Sequence, residues 1–390
     1  MFYSQVNKGK MMSLLNVFKD ILNNKELNSE ERHDLERAVK ILQDTHVNIL
    51  ITGATGCGKS STINALFSID QATGKSDGLV KEVAKVGVGV DPETMDIAKY
   101  ELENMTIWDS PGLGDGEKAD QKHRRNIINK LLEKDSNGNA VIDLVLVLLD
   151  GGSRDLGTSY ELINNVIINT LKKSGEGRTD RLLVAINQCD MAMKGRNWDA
   201  EAGRPNAALE NFLEEKVCST RKRIQEATGV TVNPIYFSAG FKSEDEEQRP
   251  YNITRLLRYI ITAMPSEKRV IVAEKINVEE IERDTSRRKQ EERQEIDSSI
   301  GSALEKILGA AGGVVKDVVS TIASGVGTLI GGAAKAIGGA ISTVASFFGW
   351  EGRICIVTVF LKSGKKSQQP VSVIWMSCLS VRQVSASPQP

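Results

Sequence analysis

Gly53-Ala54-Thr55-Gly56-Cys57-Gly58-Lys59-Ser60 decides how this chain is read. It is spelled G-x-x-x-x-G-K-[ST], and its flanks agree with it. His46 to Thr52 is a short apolar run with the length and branching of a buried strand, and Ser61 to Phe67 reads as the first turns of a helix. Glycines let consecutive backbone N–H groups turn inward around phosphate oxygens where a Cβ would block the approach. The positive end of the following helix faces the same oxygens. Lys59 is placed to reach the outer phosphates as a point charge, and the Ser60 hydroxyl to hold Mg²⁺. Ser61 adds its first-turn position to the nucleotide contacts. The stretch is a nucleotide-phosphate site.

Composition excludes several other classes. Fifty Lys and Arg against 51 Asp and Glu leave a formal charge of −1, so no global field points to nucleic acid. The five cysteines are scattered and form neither a disulfide framework nor a metal spacing, which suits a reducing, cytoplasmic setting. Three histidines, His33, His46 and His123, stand in unrelated places, against a zinc site. Met11 to Leu22 is apolar only in helical alternation and carries Lys19 and Asp20, so it does not read as a signal peptide.

Residues 68–96 are glycine-rich and polar, where a mobile loop would close over a terminal phosphate. Thr94, in Asp91-Pro92-Glu93-Thr94, is the residue there that would complete the Mg²⁺ shell and shift when that phosphate leaves; Thr73 competes for the role. Met105 to Trp108 is an apolar strand ending in Asp109-Ser110-Pro111-Gly112. Asp109 at a strand's carboxyl end suits Mg²⁺ binding through water, and Gly112 can offer its N–H to the terminal phosphate without steric cost.

Val141–Leu149, Arg181–Ile186 and Pro234–Phe237 read as further strands separated by helical patterns. The expected fold is therefore α/β, a doubly wound, mostly parallel sheet with ligand loops at the strand carboxyl ends. Asn187-Gln188-Cys189-Asp190 ends one of these strands. A carboxylate there can accept from guanine N1–H and the 2-amino group, whereas adenine leaves it unpaired.

In order across residues 46–240, GATGCGKSS, DPET, DSPG, NQCD and SAG resemble the five signatures of the translation-factor-related P-loop GTPases. The likeness is greatest to Era-like GTPases of the prophage-encoded, ribosome-binding sort, and VAINQCDMAMKGRNWD carries much of it; the loop also looks like that of septins and immunity-associated GTPases. The resemblance implies GTP and GDP as ligands, Mg²⁺ as cofactor and GTP hydrolysis working a switch on a macromolecular partner, the ribosome or its RNA among them; Leu113, which cannot orient water, makes slow hydrolysis the expectation. It implies that Lys59, Thr94 and Gly112 serve catalysis, that Ser60, Thr94 and Asp109 serve the metal, and that Ser238 and Ala239 complete the guanine pocket.

Departures qualify these expectations. Gln188 replaces the usual lysine, Gly56 stands where potassium-activated members carry asparagine, and Leu113 stands where small Ras-like enzymes place a water-orienting glutamine. Assistance is then expected from a second copy docked on the nucleotide face or from a partner, with Arg124, Arg125 and Arg154 as arginines to consider. Cys57 and Cys189 both fall near the nucleotide, packing being their first reading and oxidation sensitivity a side one.

The segmentation read from the chain is a helical stretch at 1–45, the G domain at 46–265, a charged helical linker at 266–298, a Gly/Ala-rich amphipathic region at 299–350 and a tail with short strands at 351–390. In 299–349, Val315, Val326, Ile337 and Phe348 recur every eleven residues, a period of about 3.67 residues per turn that keeps one apolar stripe on a straight helix. Packing on protein and peripheral membrane contact are the two readings of that stripe. The membrane reading makes the chain a lipid-acting GTPase instead, and a GTP-binding module without turnover is the third alternative.

Overall fold

A computed structural model describes residues 14–67, 97–102, 104–114, 116–174, 178–242 and 246–315. Of these, 40–307 form one compact unit, and 14–39 with 308–315 fall in a second. Thr73, Thr94, the apolar repeat beyond Val315 and the stretch 351–390 lie outside the described residues.

The second unit begins with α1 (Leu14–Asn24), which buries Phe18 and Ile21 three positions apart on one face. In front of α2 (Ser29–Asp44), Asn28 Oδ1 accepts from the Glu31 N–H while a Glu31 carboxylate oxygen accepts from the Asn28 N–H, a reciprocal capping box. Leu35, Ala38 and Val39 are its buried positions in this unit.

The first unit is built on a sheet. β1 (Val47–Gly53) leads into the glycine loop, and α3 (Lys59–Leu66) leaves it. β2 (Ala98–Leu102) and β3 (Met105–Asp109) follow, then α4 (Glu117–Leu132) and β4 (Leu144–Asp150). A helical stretch runs through α5 (Gly157–Glu161), a π-helical segment (Leu162–Ile167) and α6 (Ile168–Lys173) to β5 (Leu182–Asn187). Beyond it come a short hairpin of β6 (Trp198–Asp199) and β7 (Arg204–Pro205), then α7 (Ala207–Thr228) and β8 (Ile235–Tyr236). The small ribbon β9 (Phe241–Lys242) and β10 (Glu247–Gln248) precedes α8 (Ile253–Ala263), α9 (Ser266–Glu274), α10 (Val278–Arg283) and α11 (Lys289–Leu308).

The main sheet has the order β2-β3-β1-β4-β5-β8, parallel except where β2 pairs antiparallel with β3. β1, β4 and β5 are covered on both faces, which is why they read as continuous apolar runs. The edge strand β2 alternates instead. Strand order reverses at β1, so the crevice beyond its carboxyl end is the topological switch point where α/β sheets take ligands.

The stretch read as a charged linker, 266–298, is folded within the first unit. Val270, Ile271, Val272, Ala273, Ile276, Ile281 and Ile296 are buried, and Glu292 is paired with Arg258. Asp284 accepts the N–H groups of Asn252 and Thr254 at the start of α8, at 3.0 and 2.9 Å. Averaging hydropathy over a window rich in Lys, Arg and Glu hides a one-sided apolar face. Among the described residues no helix is long and apolar enough to cross a membrane.

Candidate functional site

β1 delivers Gly53 to the carboxyl end of the sheet, and the loop then turns through Gly56 (φ +77°) and Gly58 (φ +83°), a region costly to any residue with a Cβ. Gly58 is required twice, because its Cβ would lie 2.3 Å from Asn187 Nδ2. Gly58 also precedes α3, and no side chain caps that helix, so its first-turn N–H groups are left to a ligand. Lys59 bridges the loop from inside, its Nζ donating to Ala54 O at 3.1 Å. Ala54 is half-buried, Thr55 and Gly56 are exposed, and Ser60 and Ser61 are half-buried.

On the β3 side, Ser60 Oγ donates to Asp109 Oδ2 at 3.4 Å. Asp109 is 1% exposed, and its Oδ1 is buried without a protein partner. Burial pushes its pKa up to about 6, against the pull of Lys59 and the Ser60 bond. A hydroxyl and a half-paired carboxylate beside a phosphate cradle are hard oxygen donors, and they fit Mg²⁺ shared with a nucleotide.

On the β5 side, Asn187 is spent on ties. Its Nδ2 donates to Cys57 O at 3.0 Å, and its Oδ1 accepts from the Ala239 N–H at 3.1 Å. Gln188, at φ +55°, donates from Nε2 to Gly56 O at 2.9 Å. Asp190 is 9% exposed and keeps a buried Oδ1 with no partner. Ser238 Oγ accepts from the Gly240 N–H at 3.3 Å, and its backbone pairs with Tyr251. The structure thus gathers the glycine loop, Asn187, Asp190, Ser238 and Ala239 at one end of the sheet, with Asp109 at the loop's other flank.

The segment after Asp109 lies against the loop. Leu113 N–H donates to Gly53 O at 3.4 Å, Thr55 N–H donates to Leu113 O at 3.0 Å, and a Cβ on Gly112 would be 2.2 Å from Thr55 Oγ1. Leu113 is 2% exposed in the core. Of the arginines considered, Arg124 is paired with Glu161 at 2.9 Å, and Arg125 and Arg154 are exposed. Cys57 and Cys189 are fully buried and burial raises both thiol pKa values, so packing is their role here.

Two residues went unread in the sequence. His123 is buried on α4 with Nδ1 3.0 Å from Gly112 O. Lys216 donates to the carbonyls of Gly151 at 2.6 Å and Ser153 at 2.8 Å, holding the turn after β4 whose Gly151 N–H donates to Asn187 O. Neither sits in a recognisable motif; only a polar residue at a core position of a helical stripe hinted at His123.

Residues 48–188 match a family model described as 50S ribosome-binding GTPase, less than half of the chain. The mouse Interferon-gamma-inducible GTPase 10 is 35% identical over 83 residues, and the mouse T-cell-specific guanine nucleotide triphosphate-binding protein 2 is 31% identical over 83. Each match covers 20% of this chain and only 18% of the relative's own length. Among solved structures, a probable GTP-binding protein engB is similar at 19% identity and a TM-score of 0.30, covering 56% of this chain and 98% of that one. The signatures, the strand order and the family match agree: this chain carries a G domain of the P-loop GTPase type.

Proposed function

We propose that the chain binds GTP and GDP and hydrolyses GTP slowly, as a switch acting on a macromolecular partner. One observation carries the reading: Asp109 and Asp190 are both buried, flank the glycine loop, and each holds one oxygen with no protein partner. A buried, half-paired carboxylate is costly unless a ligand completes it. On the Asp109 side the complement would be Mg²⁺, for which Ser60 offers a second oxygen donor and Thr94 is the further donor the sequence suggests. On the Asp190 side it is the N1–H and 2-amino donors of guanine.

The residues divide the work. The loop N–H groups and Lys59 bind phosphates, and Gly112 meets the terminal one. Asn187 acts by locking the glycine loop to the Ser238–Ala239 turn, leaving Asp190 to read the base. Gln188 takes the same side of the loop from Gly56. Bound Mg²⁺ would neutralise charge on the phosphate oxygens. What the chain itself supplies is positioning and electrostatic stabilisation. Leu113 is a buried apolar side chain and cannot orient water, so turnover needs a group from outside, either a second copy on the nucleotide face or the partner. The family description makes the ribosome a partner to test first.

The test is GTP turnover against protein concentration, with Lys59→Ala as control and ATP as competitor. Specific activity rising with concentration is expected if a second copy completes the site. Tight GTP binding with no turnover at any concentration or with ribosomes added would make the chain a binding module instead.

A further inference from the structure

His123 occupies a core position. It heads the buried stripe His123, Ile127, Leu131 along α4, where an apolar residue would normally pack, and it is 2% exposed. A polar ring there needs a partner. That partner is the carbonyl of Gly112, 3.0 Å from Nδ1. A carbonyl only accepts, so Nδ1 carries the proton.

The peptide unit between Gly112 and Leu113 is thereby held at both ends. Its oxygen accepts from His123, and its N–H donates to Gly53 O at 3.4 Å. Gly112 itself lies so close to the loop that a Cβ would meet Thr55 N at 2.5 Å. A second tie runs from the same helix, where Asp120 Oδ1 accepts the Gly114 N–H at 2.9 Å. The segment that faces the phosphate cradle is thus set by the loop backbone on one side and by α4 on the other.

We propose that His123 is a positioning residue that aims Gly112 at the terminal phosphate, and that it makes the site prefer GTP over GDP. The proposal rests on the guanine-nucleotide reading above and goes further by assigning the discrimination to one side chain. GDP lacks the phosphate that Gly112 meets, so a loss at His123 falls on GTP alone. The same contact passes the presence of that phosphate to α4.

The test measures the affinities of full-length protein for a non-hydrolysable GTP analogue and for GDP, with Mg²⁺. His123→Asn keeps an N–H donor one bond from Cγ, where Nδ1 sits; His123→Gln moves the donor one bond farther; His123→Phe removes it. The expected result is about a tenfold loss of analogue affinity in the Gln and Phe variants, the scale of one hydrogen bond lost with a buried carbonyl left unpaired. GDP affinity should stay within about twofold, and the Asn variant should match wild type for both ligands. Equal loss for both nucleotides, no loss in Gln and Phe, or failure of Asn to restore the preference would overturn the assignment and leave His123 a packing residue. A wild-type chain that binds neither nucleotide would overturn the guanine reading and this proposal with it. GDP binding by each variant reports that it is folded.

Discussion

At the scale of single residues, the site is defined by polar atoms that the protein does not satisfy. Asp109 Oδ1 and Asp190 Oδ1 are buried without partners, whereas Asn187 is tied at both ends of its amide. This gives Asp109→Asn two effects of opposite sign. At pH 7.5, above the value of about 6 to which burial raises it, the carboxylate of the nucleotide-free protein is charged and half-paired. Replacing it with a neutral amide should leave stability in EDTA unchanged or raise it by about 1 kcal/mol, against the usual destabilisation of a core substitution. The same variant should lose the Mg²⁺-dependent part of nucleotide affinity. Denaturant unfolding in EDTA and binding titrations with and without Mg²⁺ check both halves. A loss of about 2 kcal/mol or more in EDTA would mean that Asp109 is structural.

Elements carry the next level, and here the chain was legible to different depths. The apolar runs of β1, β4 and β5 and the turn-ending motifs were read directly, because buried parallel strands are continuous in sequence and ligand loops follow them. Helices α9 to α11 were not. Their apolar face is short, and it is locked by long-range polar ties that have no period. Asn277 is the clearest case: its Nδ2 donates to Asn64 O and its N–H to Leu66 O, both at 2.9 Å, closing the carboxyl end of α3, the helix that follows the glycine loop. Its Oδ1 also accepts the Glu280 N–H at the start of α10. Asn277→Ala removes the two side-chain bonds, to Asn64 O and from the Glu280 N–H, while keeping the backbone bond to Leu66, and should cost about 1–3 kcal/mol in denaturant unfolding. A change below about 0.5 kcal/mol would show that α3 and α10 do not depend on the tie. His123 escaped notice for the same reason, since its acceptor is a backbone carbonyl eleven residues earlier and not a motif letter.

For the whole molecule, the G domain is larger than its motifs. Residues 266–307 belong to the same compact unit as the sheet, and α9 and α10 pack against β1, α3 and α8. A truncation after Met264 would remove α9 and α10, which pack against α8, and strip the Asp284 bonds from its start. The site's chemistry nevertheless condenses to one question: whether the pocket between the glycine loop and Asp190 is built for guanine. The direct measurement is displacement of a labelled guanine nucleotide by GDP, ADP and XDP, for wild type and for Asp190→Asn. In wild type, displacement by GDP alone is expected. Asparagine offers an N–H to the 2-oxo group of xanthine, so the variant should bind XDP in place of GDP, each exchange worth a factor of about a hundred or more. Equal displacement by ADP and GDP, or an Asp190→Asn variant that keeps its preference for GDP, would contradict it.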